Sequence, residues 1–167
     1  MNTEVKLIAE LVESADHIDV KHITSSASMR EFLAAAFGWR PLWLRGLFAA
    51  RAVLAKAIRL DESIPPRTPA LTPAGLDLTP GGKVEFFTVV AAEEDRYTVL
   101  EASDNHLAGY LIVQASPCGA TETATENRYE VATVVQYRRL AGRFYFNLIR
   151  PFHHIVVWRM ITAGSKA

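Results

Sequence analysis

The sequence of 167 residues has little cysteine, no surplus of charge and no long uninterrupted apolar run. Cys118 is the only cysteine, so an internal disulfide is excluded and no oxidising compartment is required. Basic and acidic residues number 18 each, which removes the basic surplus expected of a nucleic-acid-binding protein. The N-terminus carries Glu4, Glu10 and Glu13 where a secretory signal has a basic start, so we expect a cytoplasmic protein.

The stretch most similar to a membrane segment is Pro41–Leu60. Arg45, Arg51, Lys56 and Arg59 interrupt it, and its apolar runs are far shorter than the roughly 20 residues that span a bilayer. We therefore predict a helix within the domain and no transmembrane segment. Attachment of this basic, apolar-rich helix to a membrane surface is the alternative.

Metal and phosphate motifs are also missing. The sequence has no HExxH, CxxC, GxGxxG or GxxxxGK[ST] pattern. His17 and His22 fall on opposite sides of a predicted strand, and His153 and His154 are adjacent on a predicted helix, so neither pair is placed to share a metal. Cys118 lies in a Pro-Cys-Gly turn without a neighbouring base. We predict no metal site and no cofactor.

What is present is enough apolar sequence for one core, since half of the residues are hydrophobic. We predict a single domain over residues 1–167. Ser28 and Glu31 have the spacing of a capping box at a helix start, and Gly38 is a normal helix end. The elements predicted for the first half are a helix at residues 3–14, a strand at Asp16–Ile23 and helices at Met29–Phe37 and Pro41–Leu60.

The second half begins with the Pro- and Gly-rich stretch Ile64–Gly82, which predicts a surface crossing with one short edge strand. Short turns then separate strands that must be antiparallel neighbours. These strands are Lys83–Ala92, Arg96–Ala102, His106–Ala115 and Tyr129–Arg138. We expect Pro117-Cys118-Gly119 to break the third one, and Thr121–Asn127 is compatible with either a loop or an edge strand.

Residues Leu140–Ile161 have helical periodicity, and Pro151 should kink the helix about one turn earlier. Phe144, Leu148, Phe152 and Ile155 form the apolar stripe with which we expect this helix to cover a sheet. The pattern predicts an α+β fold: a curved antiparallel sheet wrapped around a long C-terminal helix, with two shorter helices after the first strand. A cavity between helix and sheet is then expected.

Three stretches carry a family resemblance: ADHID at Ala15–Asp19, DNHL at Asp104–Leu107 and the tail VVQYRRLAGRFYFNLIRPFHHIVVWRM. In the tail, the matching positions are Gly142, Tyr145, Pro151, Phe152 and His153. The region of Trp39 and Arg51 is similar as well. The chain resembles an uncharacterised bacterial domain family of unknown function in the START-like (SRPBCC, helix-grip) superfamily. The resemblance implies a pocket for a hydrophobic ligand, whereas fold by itself does not dictate function.

We predict a binding module for an apolar or amphipathic small molecule, in preference to an enzyme. The side chains predicted to line its cavity are Arg51, Phe87, Tyr110, Tyr145, Leu148, Phe152 and His153. If Arg51 is buried, it needs a partner such as Glu85, Glu101 or Asp19.

Two alternatives stay open. The first is a cyclase- or dehydratase-type enzyme in which His106, His153, Tyr145 and Asp104 supply acid–base groups; His106 and His153 are its catalytic candidates. Against it, Asp104 and His106 also fit an Asx turn at a sheet edge. The second is a protein–protein interaction domain presenting Trp43, Leu47 and Phe48, and a homodimer is compatible with either.

Overall fold

The computed structural model of the chain describes residues 3–57, 71–121 and 124–167. Within these ranges the helices and strands follow one another in the order that the sequence predicts. A short 3₁₀ turn at Pro73–Gly75 precedes the second strand. The elements are α1 Thr3–Glu13, β1 His17–Ser25, α2 Met29–Gly38, α3 Leu42–Ala57, β2 Lys83–Val84, β3 Phe87–Glu93, β4 Tyr97–Ser103, β5 Leu107–Thr121, β6 Ala124–Tyr137 and α4 Leu140–Gly164.

The six strands form one curved antiparallel sheet in the order β1-β6-β5-β4-β3-β2. The first strand therefore pairs with the last one, and β1 and β2 are the two edges. Two helices follow β1, and the long helix α4 ends the chain. The predicted α+β class, with its curved sheet and long C-terminal helix, is confirmed.

Local signals set the helix boundaries well. Ser28 Oγ accepts a hydrogen bond from Glu31 N, and Glu31 Oε2 accepts one from Ser28 N at 2.8 Å, which completes the predicted capping box. Helix α3 begins at Leu42, one residue after the predicted Pro41, and its described part extends to Ala57. The last three predicted positions lie outside the described residues, as does most of the Pro-rich stretch.

Two strand predictions are wrong. Lys83–Ala92 is not one strand, because Glu85 adopts a positive φ of 58° in a tight turn between β2 and β3. Pro117 does not end β5, which continues to Thr121. A shift in register between Pro117 and Ala120 accommodates the proline as a bulge does.

The ambiguous segment Thr121–Asn127 is strand at its described positions. Thr121 ends β5 and Ala124 begins β6, and Asn127 pairs with Ser25 on β1. Residues 122–123 lie outside the described residues.

The sheet has two apolar faces. Helix α1 covers the outer face, where Leu11 packs with Tyr97, Val99, Ile112 and Val134. Helices α2 and α4 cover the inner face and enclose the larger core. Its largest fully buried side chains include Tyr129, Phe32, Met29, Leu33, Leu100 and Val131. The rings of Phe32 and Tyr129 stack with centroids 4.1 Å apart.

Helix α4 presents a different side to the sheet than the sequence predicts. The stripe of Phe144, Leu148, Phe152 and Ile155 is 53–75 % exposed. The side that packs on the domain instead carries Tyr145, Phe146, Val157 and Ile161, all nearly inaccessible to solvent. The expectation is wrong because α4 is apolar on two sides, and periodicity cannot tell which of them is buried.

Two glycines let the ends of α4 approach the domain closely. A Cβ on Gly142 would lie 2.3 Å from the carbonyl oxygen of His106, and one on Gly164 would lie 2.8 Å from that of Phe32. The helix is continuous through Pro151. Within the described ranges, no helix combines the length and the apolar composition needed to cross a bilayer.

Candidate functional site

Edge strand β1 turns its polar side chains toward the interior of the domain. His17, Asp19 and Lys21 are partly buried on the inner face, whereas Ile18 and Val20 point outward and are 39 % and 44 % exposed. A strand at the surface usually has the opposite polarity, with its apolar side chains inward. The inner face of β1 therefore carries three ionisable groups on an otherwise apolar layer.

The strand and helix beside these groups add further polar atoms. Asp19 pairs in register with Thr133 of β6. The Thr133 hydroxyl is buried and has no hydrogen-bond partner among the described residues. From the other side, α4 brings His154 onto Asp19 and Lys21. We call Asp19, Lys21 and His154 the β1–α4 cluster.

The β1–α4 cluster is tightly connected. His154 Nδ1 lies 2.9 Å from Asp19 Oδ2 and 3.3 Å from Lys21 Nζ, and Lys21 also forms an ion pair with the same carboxylate oxygen. The side chains of Lys21, Asp19 and His154 are 12 %, 18 % and 36 % exposed. When Nδ1 of a neutral His154 donates to Asp19, its Nε2 is left as a proton acceptor.

The surroundings set the charges of these groups. Burial raises the pKa of Asp19, but the hydrogen bonds and charges of Lys21 and His154 outweigh it, so its pKa is lowered overall. Burial, together with Arg150 and His154, lowers the pKa of His17. Asp19 is thus a carboxylate near neutral pH, and His17 favours its neutral form.

Among the histidines of the site, His153, the residue before His154, has the most strongly shifted pKa. Burial, the neighbouring His154 and the charges of Lys21 and Arg51 lower its pKa to about 4, although Asp19 opposes the shift. It is therefore a neutral imidazole at physiological pH. Such a ring can donate or accept a hydrogen bond but carries no charge.

Phe146 supplies an apolar wall beside the cluster. Its ring centroid lies 5.2 Å from that of His17, 5.8 Å from that of His153 and 6.2 Å from that of Tyr137. His17 in turn lies 6.0 Å from His154, edge to face. The site therefore combines an ion pair, three imidazoles and one aromatic surface, which suits a molecule with a polar group and an apolar body.

Arg51 and Tyr145 are brought together by α3 and α4. Arg51 Nε donates a hydrogen bond to the Tyr145 hydroxyl, and its guanidinium carbon lies 5.8 Å from the centre of the Tyr145 ring. Leu54 and Ile149 pack around the same tyrosine, which is 2 % exposed. These two predicted ligand residues therefore form a contact between α3 and α4.

The other predicted ligand residues are dispersed. Tyr110 lies with the α1 cluster on the outer face of the sheet, and its hydroxyl is 3.4 Å from Glu101 Oε1. Phe87 packs with Phe37 at the β3 side of the inner face. Leu148 and Phe152 are 59 % and 53 % exposed. Their role in ligand binding stays a prediction, and they do not line one common pocket.

His106 and Asp104 have a structural role at the entrance to β5. Asp104 Oδ1 accepts hydrogen bonds from the backbone N–H groups of His106, at 2.6 Å, and Leu107, at 2.9 Å, which is the Asx turn considered from sequence. The His106 carbonyl accepts from the N–H groups of Arg138 and Arg139. Its Nδ1 is buried without a hydrogen-bond partner among the described residues.

Between α2, α4 and the sheet lies an apolar cavity of about 20 Å³. Its walls include Phe32, Phe37, Val131, Val157 and Met160. A volume of this size accommodates about one water molecule. No group of three His, Cys, Asp or Glu residues among the described ones is arranged to hold a metal ion.

A family profile described as protein of unknown function (DUF2867) matches residues 11–160, which is most of the chain. The chain belongs to the DUF2867 family. No curated protein and no solved structure matches it significantly. In this DUF2867 protein, the geometry of the β1–α4 cluster is what distinguishes the candidate site residues from the other polar side chains.

Sequence reasoning missed the β1–α4 cluster because Asp19 and Lys21 occur in an ordinary alternating strand. One signal in the sequence could have indicated the cluster. The alternation of the first strand places His17, Asp19 and Lys21 on one face, and the terminal helix carries two adjacent histidines. What the sequence could not show is that this polar face of β1 points inward in the DUF2867 protein.

Proposed function

We propose that this DUF2867 protein is a START-like domain that binds an amphipathic small molecule between α4 and the inner face of the sheet. The topology supports the superfamily: one strand, two helices, a meander of strands and a long final helix, with the first and last strands paired. The polar group of the ligand contacts the β1–α4 cluster, and its apolar body lies along Phe146.

The observation that carries this proposal is the inward-facing polar side of β1. Shielding a carboxylate, an ammonium group and imidazoles from water costs desolvation free energy that an apolar replacement would avoid. Groups with perturbed pKa values concentrate at functional sites for this reason. The buried Thr133 hydroxyl, in register with Asp19, offers one more hydrogen bond to a bound polar group.

Binding requires a rearrangement. The enclosed cavity between α2, α4 and the sheet has only about 20 Å³, far below the roughly 300–1,000 Å³ of typical small-molecule sites, and its walls do not include the β1–α4 cluster or Phe146. Helix α3 is the element that moves in this proposal. Among the described elements, α3 is packed only loosely on its neighbours, and more than half of the surface of Leu42 and Val53 is exposed. Moving α3 breaks the Arg51–Tyr145 contact and uncovers Tyr145 and Leu107.

The test compares variants on the two faces of β1. Native mass spectrometry of the purified protein should show a co-purifying small molecule. A fluorescent amphipathic probe (1-anilinonaphthalene-8-sulfonate) should bind to the protein, and the co-purifying molecule should displace the probe. Lys21→Met and Asp19→Asn should weaken probe binding about tenfold, as expected for a lost charged hydrogen bond. The control His22→Gln, on the exposed face of the same strand, should bind like the wild type.

Equal probe affinity in all three variants, with no co-purifying molecule, would show that the cluster is not a ligand site. Far-UV and near-UV circular dichroism of each variant separates this outcome from misfolding. Since α3 must move, Arg51→Met should bind the probe more tightly than the wild type, because the closed state loses its hydrogen bond.

A second candidate function rests on the Asp19–His154 pair. A carboxylate that holds Nδ1 of a histidine leaves Nε2 positioned as a general base, so an acid–base enzyme is the alternative proposal. In this version the catalytic base is His154 and not His106. Incubating the co-purified molecule with the protein should then yield a product of changed mass or retention time. His154→Gln should abolish that conversion while leaving the molecule bound.

A further inference from the structure

The solvent-facing side of α4 is strongly apolar. Six large hydrophobic side chains along it are each at least half exposed. They are Leu140, Phe144, Leu148, Phe152, Ile155 and Trp158, and we call them the α4 ridge. Soluble monomers rarely expose a contiguous series of this kind unless it contacts something.

The α4 ridge is continuous. With a rise of 1.5 Å per residue, the distance from Leu140 to Trp158 along the helix axis is about 27 Å. At about 100° per residue, all six side chains lie within an arc of about 120°. The packed side of α4, with Phe146 and Val157, is a separate one. The ridge is therefore a convex line of side chains, not a groove.

Charge is segregated toward the same part of the molecule. The whole chain has 18 basic and 18 acidic residues, but residues 39–57 and 138–164 contain nine Lys and Arg and no Asp or Glu. These ranges include α3 and α4. Arg143, Arg150 and Arg159 are exposed residues of α4 itself. The nearby carboxylate of Asp19 lies on the buried side of the helix, paired with Lys21 and His154.

We propose that the α4 ridge docks on the surface of an anionic phospholipid bilayer, with its apolar side chains in the interfacial region and the arginines at the headgroups. Helices that lie in the plane of a membrane combine apolar aromatic faces with basic flanks in this way. Trp158 is suited to the interface, since its ring is apolar and its N–H is a donor. This docking is a function separate from small-molecule binding.

A second copy of the chain is a poorer occupant, because two ridges face to face bring the arginines of both copies together. A protein partner would need an acidic, concave surface to match a convex apolar ridge. A fluid bilayer adapts to the ridge without a preformed groove and supplies the negative charge.

The first test is co-flotation of the full chain with vesicles of equimolar phosphatidylglycerol and phosphatidylcholine. The wild type should float with these vesicles and not with pure phosphatidylcholine. Phe144→Ser combined with Leu148→Ser should reduce binding by more than about tenfold, since both lose apolar burial. Arg143→Ser combined with Arg150→Ser should reduce it about fivefold for each arginine.

The matched control is Ile18→Ser combined with Val20→Ser, which removes exposed apolar side chains from the outer face of β1. This variant should float like the wild type. Thermal unfolding of every variant confirms that the fold is kept, which is expected because all substituted side chains are exposed.

A second readout uses the tryptophans. In the Trp39→Phe/Trp43→Phe variant, Trp158 is the only remaining tryptophan, and its emission should shift to the blue when anionic vesicles are added. No flotation and no shift overturn the proposal. A dimer in light scattering that dissociates in the Phe144→Ser/Leu148→Ser variant, without vesicle binding, also overturns it and assigns the ridge to a second copy. Equal flotation with uncharged vesicles overturns the proposed docking on an anionic surface, because the arginines would then contribute nothing to binding.

Discussion

The two halves of α4 rest on very different surfaces. Toward its C-terminus, Val157 and Ile161 pack in the apolar core of α2 and the sheet, and Gly164 touches Phe32. In its middle, α4 instead contributes His154 to the β1–α4 cluster, where an imidazole, a carboxylate and an ammonium group meet. The C-terminal part of the helix thus rests on an apolar core, whereas its middle part places partly buried ionisable groups beside one another.

The largest expected effect tests the anchoring half. Phe32→Ala removes a side chain that is 1 % exposed and stacked on Tyr129, so the free energy of unfolding should fall by about 3–5 kcal/mol. Phe144→Ala is the matched control, because that ring is 75 % exposed and should change the value by less than about 0.5 kcal/mol. Urea unfolding followed by circular dichroism measures both. Similar losses in the two variants would contradict the assignment of the buried side of α4.

The second prediction concerns the polar half and its response to acid. The pKa of His153 is lowered from 6.5 to about 4 in the folded state, so the unfolded chain binds a proton more readily between these values. The stability that depends on neutral His153 is therefore complete above pH 6.5 and is lost as the pH falls toward 4, by about 3 kcal/mol. Urea unfolding across this pH range should give a shallower dependence for His153→Gln.

Asp19 and His17 are present in both the wild type and the His153→Gln variant. The difference between their curves of unfolding free energy against pH therefore reports on His153. His22→Gln, on the exposed face of β1, should retain the wild-type curve. An NMR titration of the His153 ring offers a direct check: a midpoint near 6.5 would show that the imidazole is not shielded.

The third and smallest effect concerns the N-terminal attachment of α4. Gly142→Ala places a Cβ against the His106 carbonyl oxygen, so the helix must shift, at a cost of about 1–3 kcal/mol. Gly46→Ala in α3 meets no atom within 4 Å and should be neutral or stabilising, because alanine favours a helix. If thermal unfolding ranks the two in the opposite order, α4 does not approach β5 as closely as described.

The sequence predicted the features that depend on local chemistry. The capping box of Ser28 and Glu31, the C-terminal helix beginning at Leu140 and the antiparallel meander all follow from neighbours along the chain. The curved sheet with α4 on its inner face follows from the order of these elements. Family resemblance added an expected superfamily and an expected ligand cavity, and several of the side chains predicted to line that cavity lie apart in the fold.

The features that the sequence did not reveal depend on contacts distant in the chain. The inward turn of Asp19 and Lys21 is visible only once α4 lies over β1 and brings His154 to them. Which of the two apolar sides of α4 is buried is connected with Gly142 and Gly164. These glycines pack against the backbone of His106 and of Phe32, which are distant from them in the chain. Likewise, the bulge that carries β5 past Pro117 is defined by its register with β6.

Gly142 and Gly164 also fix the length of α4. Each glycine must face the domain where a backbone carbonyl comes close, at His106 and at Phe32. Because each helical residue advances the direction of a side chain by about 100°, adding or removing one residue between them would turn one contact away from the domain. The stretch between the two glycines thus accepts substitutions on its exposed side but no change in residue number. The length of α4 between these glycines therefore sets the separation between the start of β5 and the middle of α2.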